Sequence, residues 1–219
     1  MPDSKSSVRT PAKPNGRPVY DDQFVIFLIG EEEHKFTVHK SFACYYCEVF
    51  NRAFNSNFEE ARTQTYRIKD TTVRAFELLV DWIYSQDIGD CHFEAVIDGK
   101  EVFWNPGEVM ARLAELWVLA DKLLLPNLQN IAIDHLNDVF TEEGACMILP
   151  YVYENTAEDS LLRRFLIEAV ALNGHKKIMH EALQLFTGPM LLDFAKCLLA
   201  HRPDEREADT LEIIFVSES

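Results

Sequence analysis

The short signatures on which most enzyme chemistry rests are missing from this sequence. It has no Gly-rich phosphate loop, no Gly-x-Ser-x-Gly elbow and no His-Glu-x-x-His helix. No apolar run is long enough to span a bilayer, and the N-terminal stretch has no apolar signal core. Asn-x-Ser/Thr acceptors are absent, and there is no long internal repeat. Cysteine is sparse: five in 219 residues, an odd number. Disulfide scaffolds are shorter and denser in Cys, so a reducing compartment is expected, cytoplasmic or nuclear. Positive charge is in the minority, with 21 Lys and Arg against 36 Asp and Glu, a net charge of −15. Such a surface repels phosphate backbones and anionic lipid, so neither direct nucleic-acid binding nor membrane binding is expected. The same charge serves solubility, or a basic partner protein.

What remains is ample for a core: 47% of residues are apolar and 26% charged. Residues 1–19, rich in Pro, Ser, Lys and Arg, bury too little to offset ordering entropy and are expected to be a disordered tail. The run Phe-Val-Ile-Phe-Leu-Ile over residues 24–29 predicts a strand buried on both faces. Residues 34–39, where Phe36 and Val38 alternate with polar neighbours, complete a hairpin. A helical period then runs through Phe42, Tyr45, Tyr46, Val49, Phe50 and Phe54. Residues 55–63 read as a polar loop around Phe58, and Tyr66 with Ile68 as a short strand. Asp70, Thr71 and Thr72 supply cap chemistry for a helix with Val73, Phe76, Val80 and Ile83 on its apolar face.

Residues 86–105 read as an insertion with a hairpin turning at Asp98-Gly99. Asn105-Pro106-Gly107-Glu108 is a helix start, and Pro126 opens the next helix. Beyond residue 140 the chain is expected to stay helical. Thr141 caps a helix ending near Pro150, Ser160 caps another, and residues 175–187 and 189–200 form a pair divided by Gly188-Pro189. From 203 the tail is acidic; its Leu211–Val216 run could add a strand to a partner or pack on its own extension. The order predicts an α+β fold over residues 20–140, with a small three-stranded sheet beside a helical cluster, then an all-helical extension over 141–202.

Two groups of residues are chemically suggestive. His34, His39, Cys44 and Cys47 have ligand-like composition for zinc, but Cys44 and Cys47 fall within a predicted helix rather than on a tight turn. The alternative is two buried helix thiols and a histidine bonded at a strand–helix junction. His175, His180 and His201 have no paired nucleophile evident, and Glu142-Glu143 and Glu158-Asp159 read as acids at helix starts. Trp82, Tyr84 and Trp117 read as core. No cofactor, metal or catalytic residue is assigned.

Four stretches, in order, resemble the BTB/POZ family, particularly its fungal members. Phe36-Thr37-Val38-His39-Lys40 is similar to its strand-to-helix signature, Phe58-Glu59-Glu60-Ala61 to its Phe-x-Glu-Ala loop, and Asp81-Trp82-Ile83-Tyr84-Ser85 to a helix end. Ala120-Asp121-Lys122-Leu123, followed by Pro126-Asn127-Leu128-Gln129, resembles its helix junction. The segment around Pro150 to Thr156 is similar to an extension common in fungal members. The family's small residue after Tyr84-Ser85 is replaced by Gln86. The resemblance implies a protein-interaction scaffold that forms homodimers or BTB heterodimers through its N-terminal segment and first helix. It also implies docking to a cullin scaffold of ubiquitin ligases, with Phe58 and Glu60 matching the hydrophobic-x-Glu contact. His39, Lys40, Trp82, Tyr84 and Asp121 carry the family signature. The competing role is a non-ligase scaffold subunit of a transcriptional or chromatin complex.

Overall fold

The computed structural model describes residues 18, 20–89, 94–97, 100–103, 105–173 and 184–201. The expected N-terminal tail apart from Pro18, the Asp98-Gly99 turn, most of the 175–187 helix and the acidic tail with its 211–216 run lie outside the described residues. The chain divides into two compact units, Met1–Val139 and Phe140–Ser219. The fold is α+β, with nine helices among the described residues.

In the first unit, β1 (Phe24–Ile29) is the central strand of a three-stranded sheet ordered β2-β1-β3. It pairs antiparallel with β2 (His34–His39), Phe24 opposite His39 and Ile29 opposite His34. On its other edge β3 (Thr65–Ile68) runs parallel to it, Ile26 opposite Thr65. The expectation that β1 is buried on both faces fails. Val25, Phe27 and Ile29 are fully buried, whereas Ile26 and Leu28 are only half-buried and Phe24 is exposed. Successive side chains point to opposite faces of a strand, and the packed aromatic core lies on one of them. Phe27 is central there, 4.8 Å from the Phe50 ring and 5.0 Å from Phe76.

The helical period after β2 is interrupted. Instead of one helix there are α1 (Lys40–Tyr46) and α2 (Glu48–Phe54), divided at Cys47, whose backbone is extended (φ −124°, ψ 110°). Its N–H still donates to Ala43 O (3.1 Å), while its own carbonyl accepts from Asn51 N (2.9 Å). One residue thus ends the first helix and starts the second, and Phe42 and Ala43 of α1 and Phe50 and Phe54 of α2 are all buried. Part of the expected 55–63 loop is helical, as α3 (Glu59–Thr63).

Cap chemistry works as read at Thr72 and Asn105. Thr72 Oγ1 accepts from Ala75 N (3.1 Å) at the start of α4 (Val73–Ser85), and Asn105 Oδ1 accepts from Glu108 N (2.9 Å) at the start of α5 (Pro106–Lys122). β4 (Glu94–Ile97) and β5 (Lys100–Phe103) form the expected antiparallel hairpin. Nearly all of α5 from Val109 to Ala120 is buried, where it packs against α4 and α6 (Pro126–Asp138).

The second unit contains α7 (Glu142–Asn155), α8 (Leu161–Asn173) and α9 (Gly188–Ala200), with α8 packed on both others. Thr141 caps α7 through Gly144 N (3.1 Å). The expected end near Pro150 is overturned: α7 continues one turn further, with Pro150 inside it. A proline there forfeits one backbone bond, a cost offset by burying Ile148, Leu149 and Val152. Ser160 precedes α8, and its carbonyl accepts from Arg164 N (3.2 Å). Its hydroxyl makes no cap; Oγ is buried without a partner among the described residues. No described helix is long and apolar enough to cross a membrane.

Candidate partner-binding site

The loop between α2 and α3 is held from both sides. Lys40 Nζ and Gln64 Nε2 both donate to Phe54 O (3.2 and 3.3 Å), closing the end of α2. Ser56 Oγ donates to Ala53 O (3.2 Å) and accepts from Phe58 N (3.1 Å). Gln64, in the left-handed region (φ 49°), stops α3, and its side chain also donates to Ala61 O (2.6 Å). Fixed at both ends, the loop places Phe58, 71% exposed, at the N-cap of α3. Glu60 lies in the first turn of α3, half-buried. A carboxylate there is favoured by the helix dipole, though over so short a helix the effect is small. Glu59 is tied to Arg62 (3.6 Å), whereas Glu60 has no ion pair among the described residues. The geometry is an apolar anchor beside an unspent carboxylate on a braced loop.

A second group surrounds the β2–α1 junction. The His39 N–H donates to Tyr84 Oη (3.0 Å), and the same oxygen is in hydrogen-bond contact with His39 Nδ1 (2.8 Å). Phe24, Tyr20 and Phe42 pack around this pair, with Phe24 4.5 Å and Tyr20 5.1 Å from the imidazole and Tyr20 4.6 Å from Phe42. Tyr20 and Phe24 are themselves exposed.

The family model for the BTB/POZ domain matches residues 24–139. The chain belongs to the BTB/POZ family. No curated protein matches it. BTB/POZ domains are protein-interaction modules, and that is the coarse function of this chain.

Of the signature residues of this BTB domain, His39 and Tyr84 are joined by hydrogen bonds. Trp82, on the same helix as Tyr84, faces inward and is 4% exposed, with Tyr46 at 5.9 Å. Asp121, near the end of α5, is bound by Gln129 Nε2 (3.0 Å), and its carbonyl accepts from Leu124 N (3.0 Å). Its neighbour Lys122 reaches Asp70 Oδ2 (2.6 Å) and Asp70 O (3.1 Å), and this bond holds the Asp70 carboxyl below the usual range despite some desolvation. These residues join elements, whereas Phe58 is exposed and Glu60 half-buried on the α2–α3 loop and the first turn of α3.

The zinc-like group does not assemble. Among the described residues no three His, Cys, Asp or Glu side chains converge as a metal site. His34 faces Glu32 (3.1 Å) and His39 faces Tyr84. Burial pushes the thiols of Cys44 and Cys47 up to about 11, which keeps them protonated and poor as ligands.

Sequence reasoning missed a polar network in the second unit. Arg163 is 8% exposed; its Nε donates to Thr156 Oγ1 (2.9 Å), and its Nη2 donates to Tyr153 O (2.7 Å) and to Thr156 O. The guanidinium also lies 4.4 Å from the Tyr153 ring centre. It therefore closes the C-terminal end of α7, where carbonyls lack helical partners. Tyr153 Oη donates to Asp193 Oδ2 (2.9 Å), and Lys196 Nζ to Asp193 Oδ1 (3.2 Å). Desolvation, then the Asp193 bond, pushes the Tyr153 hydroxyl well up. The available signal was an arginine amid the apolar Leu161-Leu162…Phe165-Leu166-Ile167 stretch.

Proposed function

We propose that this BTB protein dimerises and serves as an adaptor that docks a cullin scaffold of ubiquitin ligases through Phe58 and Glu60. The observation that carries the reading is the exposed Phe58 ring on a braced loop next to an unpaired carboxylate. Large rings left in water on ordered loops are frequent anchors of interfaces. The exposed Tyr20 and Phe24 beside α1 support dimerisation through the N-terminal segment and first helix. The adaptor would work in the cytoplasm or nucleus.

The test is the mass of the purified protein by light scattering, alone and with a cullin N-terminal domain. A dimer that shifts to a larger complex is expected. Phe58→Ala should weaken the complex about thirtyfold, the equivalent of ~2 kcal/mol for burying a phenylalanine ring, and Glu60→Lys should weaken it as well. Because Phe58 contributes little to the core, both variants should keep the native melting temperature. A folded protein that ignores the cullin would leave a non-ligase scaffold, such as a subunit of a transcriptional or chromatin complex.

A further inference from the structure

The second unit contains a groove of about 770 Å³ between the α7–α8 corner and the start of α9. We infer that this groove is a docking site for a basic peptide segment carrying an apolar anchor, the client contact of the adaptor. The inference rests on the adaptor reading for its biological sense, and on the groove's own chemistry for its ligand.

Apolar surface comes from the half-buried Tyr153 and the exposed Pro189 and Leu192, over the buried Met190. A volume of this size takes one or two side chains of a peptide. Charge around it is unbalanced. Its two cations are committed within the unit: Arg163 to the α7 carbonyls and Thr156, and Lys196 to Asp193. Arg164 lines an adjoining, smaller hollow of about 410 Å³. Three carboxylates at the groove are exposed and have no ion pair among the described residues: Glu154, Glu158 and Asp159. Lys or Arg side chains flanking an aliphatic residue complement both the exposed carboxylates and the apolar surface.

The probe is a fluorescein-labelled peptide with one central leucine flanked by lysines, followed by anisotropy on the full chain. Reversal of all three carboxylates (Glu154→Lys, Glu158→Lys, Asp159→Lys) should raise its Kd about tenfold or more. A control with the same charge change on exposed acids of the BTB domain (Glu77→Lys, Asp134→Lys, Asp138→Lys) should stay within about twofold of the parent. Leu192→Ser should erase the preference for the leucine peptide over one with a central alanine. Far-UV circular dichroism verifies that each variant is folded. Equal loss in the control, no preference for leucine in the parent, or no binding of the probe would each overturn the assignment. Cullin binding measured on the same samples separates the two readings: cullin bound without peptide refutes the groove and leaves the adaptor, and peptide bound without cullin leaves the groove on a scaffold of another kind.

Discussion

Replacing Gln86 by glycine and, separately, by alanine tests how the signature helix of the BTB domain ends. Gln86 follows the last residue of α4 with φ 63° and ψ 20°, the left-handed region, and its N–H donates to Trp82 O (2.8 Å). An L residue there costs roughly 1–2 kcal/mol, because Cβ crowds the following carbonyl. Glycine avoids that cost but loses about 0.4–1 kcal/mol through the greater freedom of its unfolded chain. The difference leaves the glycine variant about 1 kcal/mol more stable than the alanine variant. Native glutamine lies between them, because its Nε2 also donates to Trp82 O (2.9 Å), a surface bond worth about 0.5 kcal/mol. All three tryptophans, at 82, 104 and 117, belong to the first unit, so their fluorescence during urea unfolding reports that unit alone. In melting temperature the gap is roughly 2–4 °C. Alanine and glycine variants of equal stability, or an alanine variant that is the more stable, would refute a left-handed residue at this position.

Leu124, exposed at φ 57°, closes α5 in the same way; Leu124→Gly should stabilise the domain by about 0.5–1 kcal/mol in the same fluorescence assay. Arg163→Met should destabilise the second unit by about 3 kcal/mol, since the bonds to Tyr153 O and Thr156 are charge-assisted; the helical circular-dichroism signal should then fall at a lower temperature than the tryptophan signal. Asp70 has a lowered carboxyl in the native state, so its bond to Lys122 stabilises above the ordinary carboxylate range and is lost as pH falls through the folded value. Asp70→Asn should accordingly flatten the stability–pH curve on the acid side, read from urea midpoints, and a curve of unchanged slope would contradict it. With Cys91, Cys146 and Cys197 replaced by serine, Cys44 and Cys47 should label slowly at pH 8, where only about one thiol in a thousand is ionised, and each pH unit up to about 11 should speed labelling roughly tenfold.

Much of the fold was legible because its signals are local. The caps at Thr72, Asn105 and Thr141 bond within three residues, so their chemistry is written in adjacent letters. The alternation of Phe36 and Val38 marked β2, and the signature stretches marked the family. The break at Cys47 and the helical turn beyond Pro150 were not legible. The period of Phe42 to Phe54 continues across Cys47, and proline's local preference argues against the residues that burial keeps helical.

The candidate site shows the same division. That Phe58 sits alone among polar neighbours is plain from the residues. Whether its ring turns in or out depends on the space left inside. Phe27, Phe50, Phe54 and Phe76 already fill the core on their side of the sheet, and an interior at crystal-like density has no room for another ring. The Arg163 network was hidden because its acceptors are main-chain carbonyls, which every residue has.

By itself, then, the sequence determined most element types, most caps, the hairpin and the family, since each follows from neighbours a few residues apart. Tertiary structure alone decided the parallel seat of β3 on β1, the solvent-facing side of β1, the split at Cys47 and the outward turn of Phe58. Those outcomes depend on which distant residues occupy the core first-hand neighbourhood of each side chain, and excluded volume there outweighs local preference.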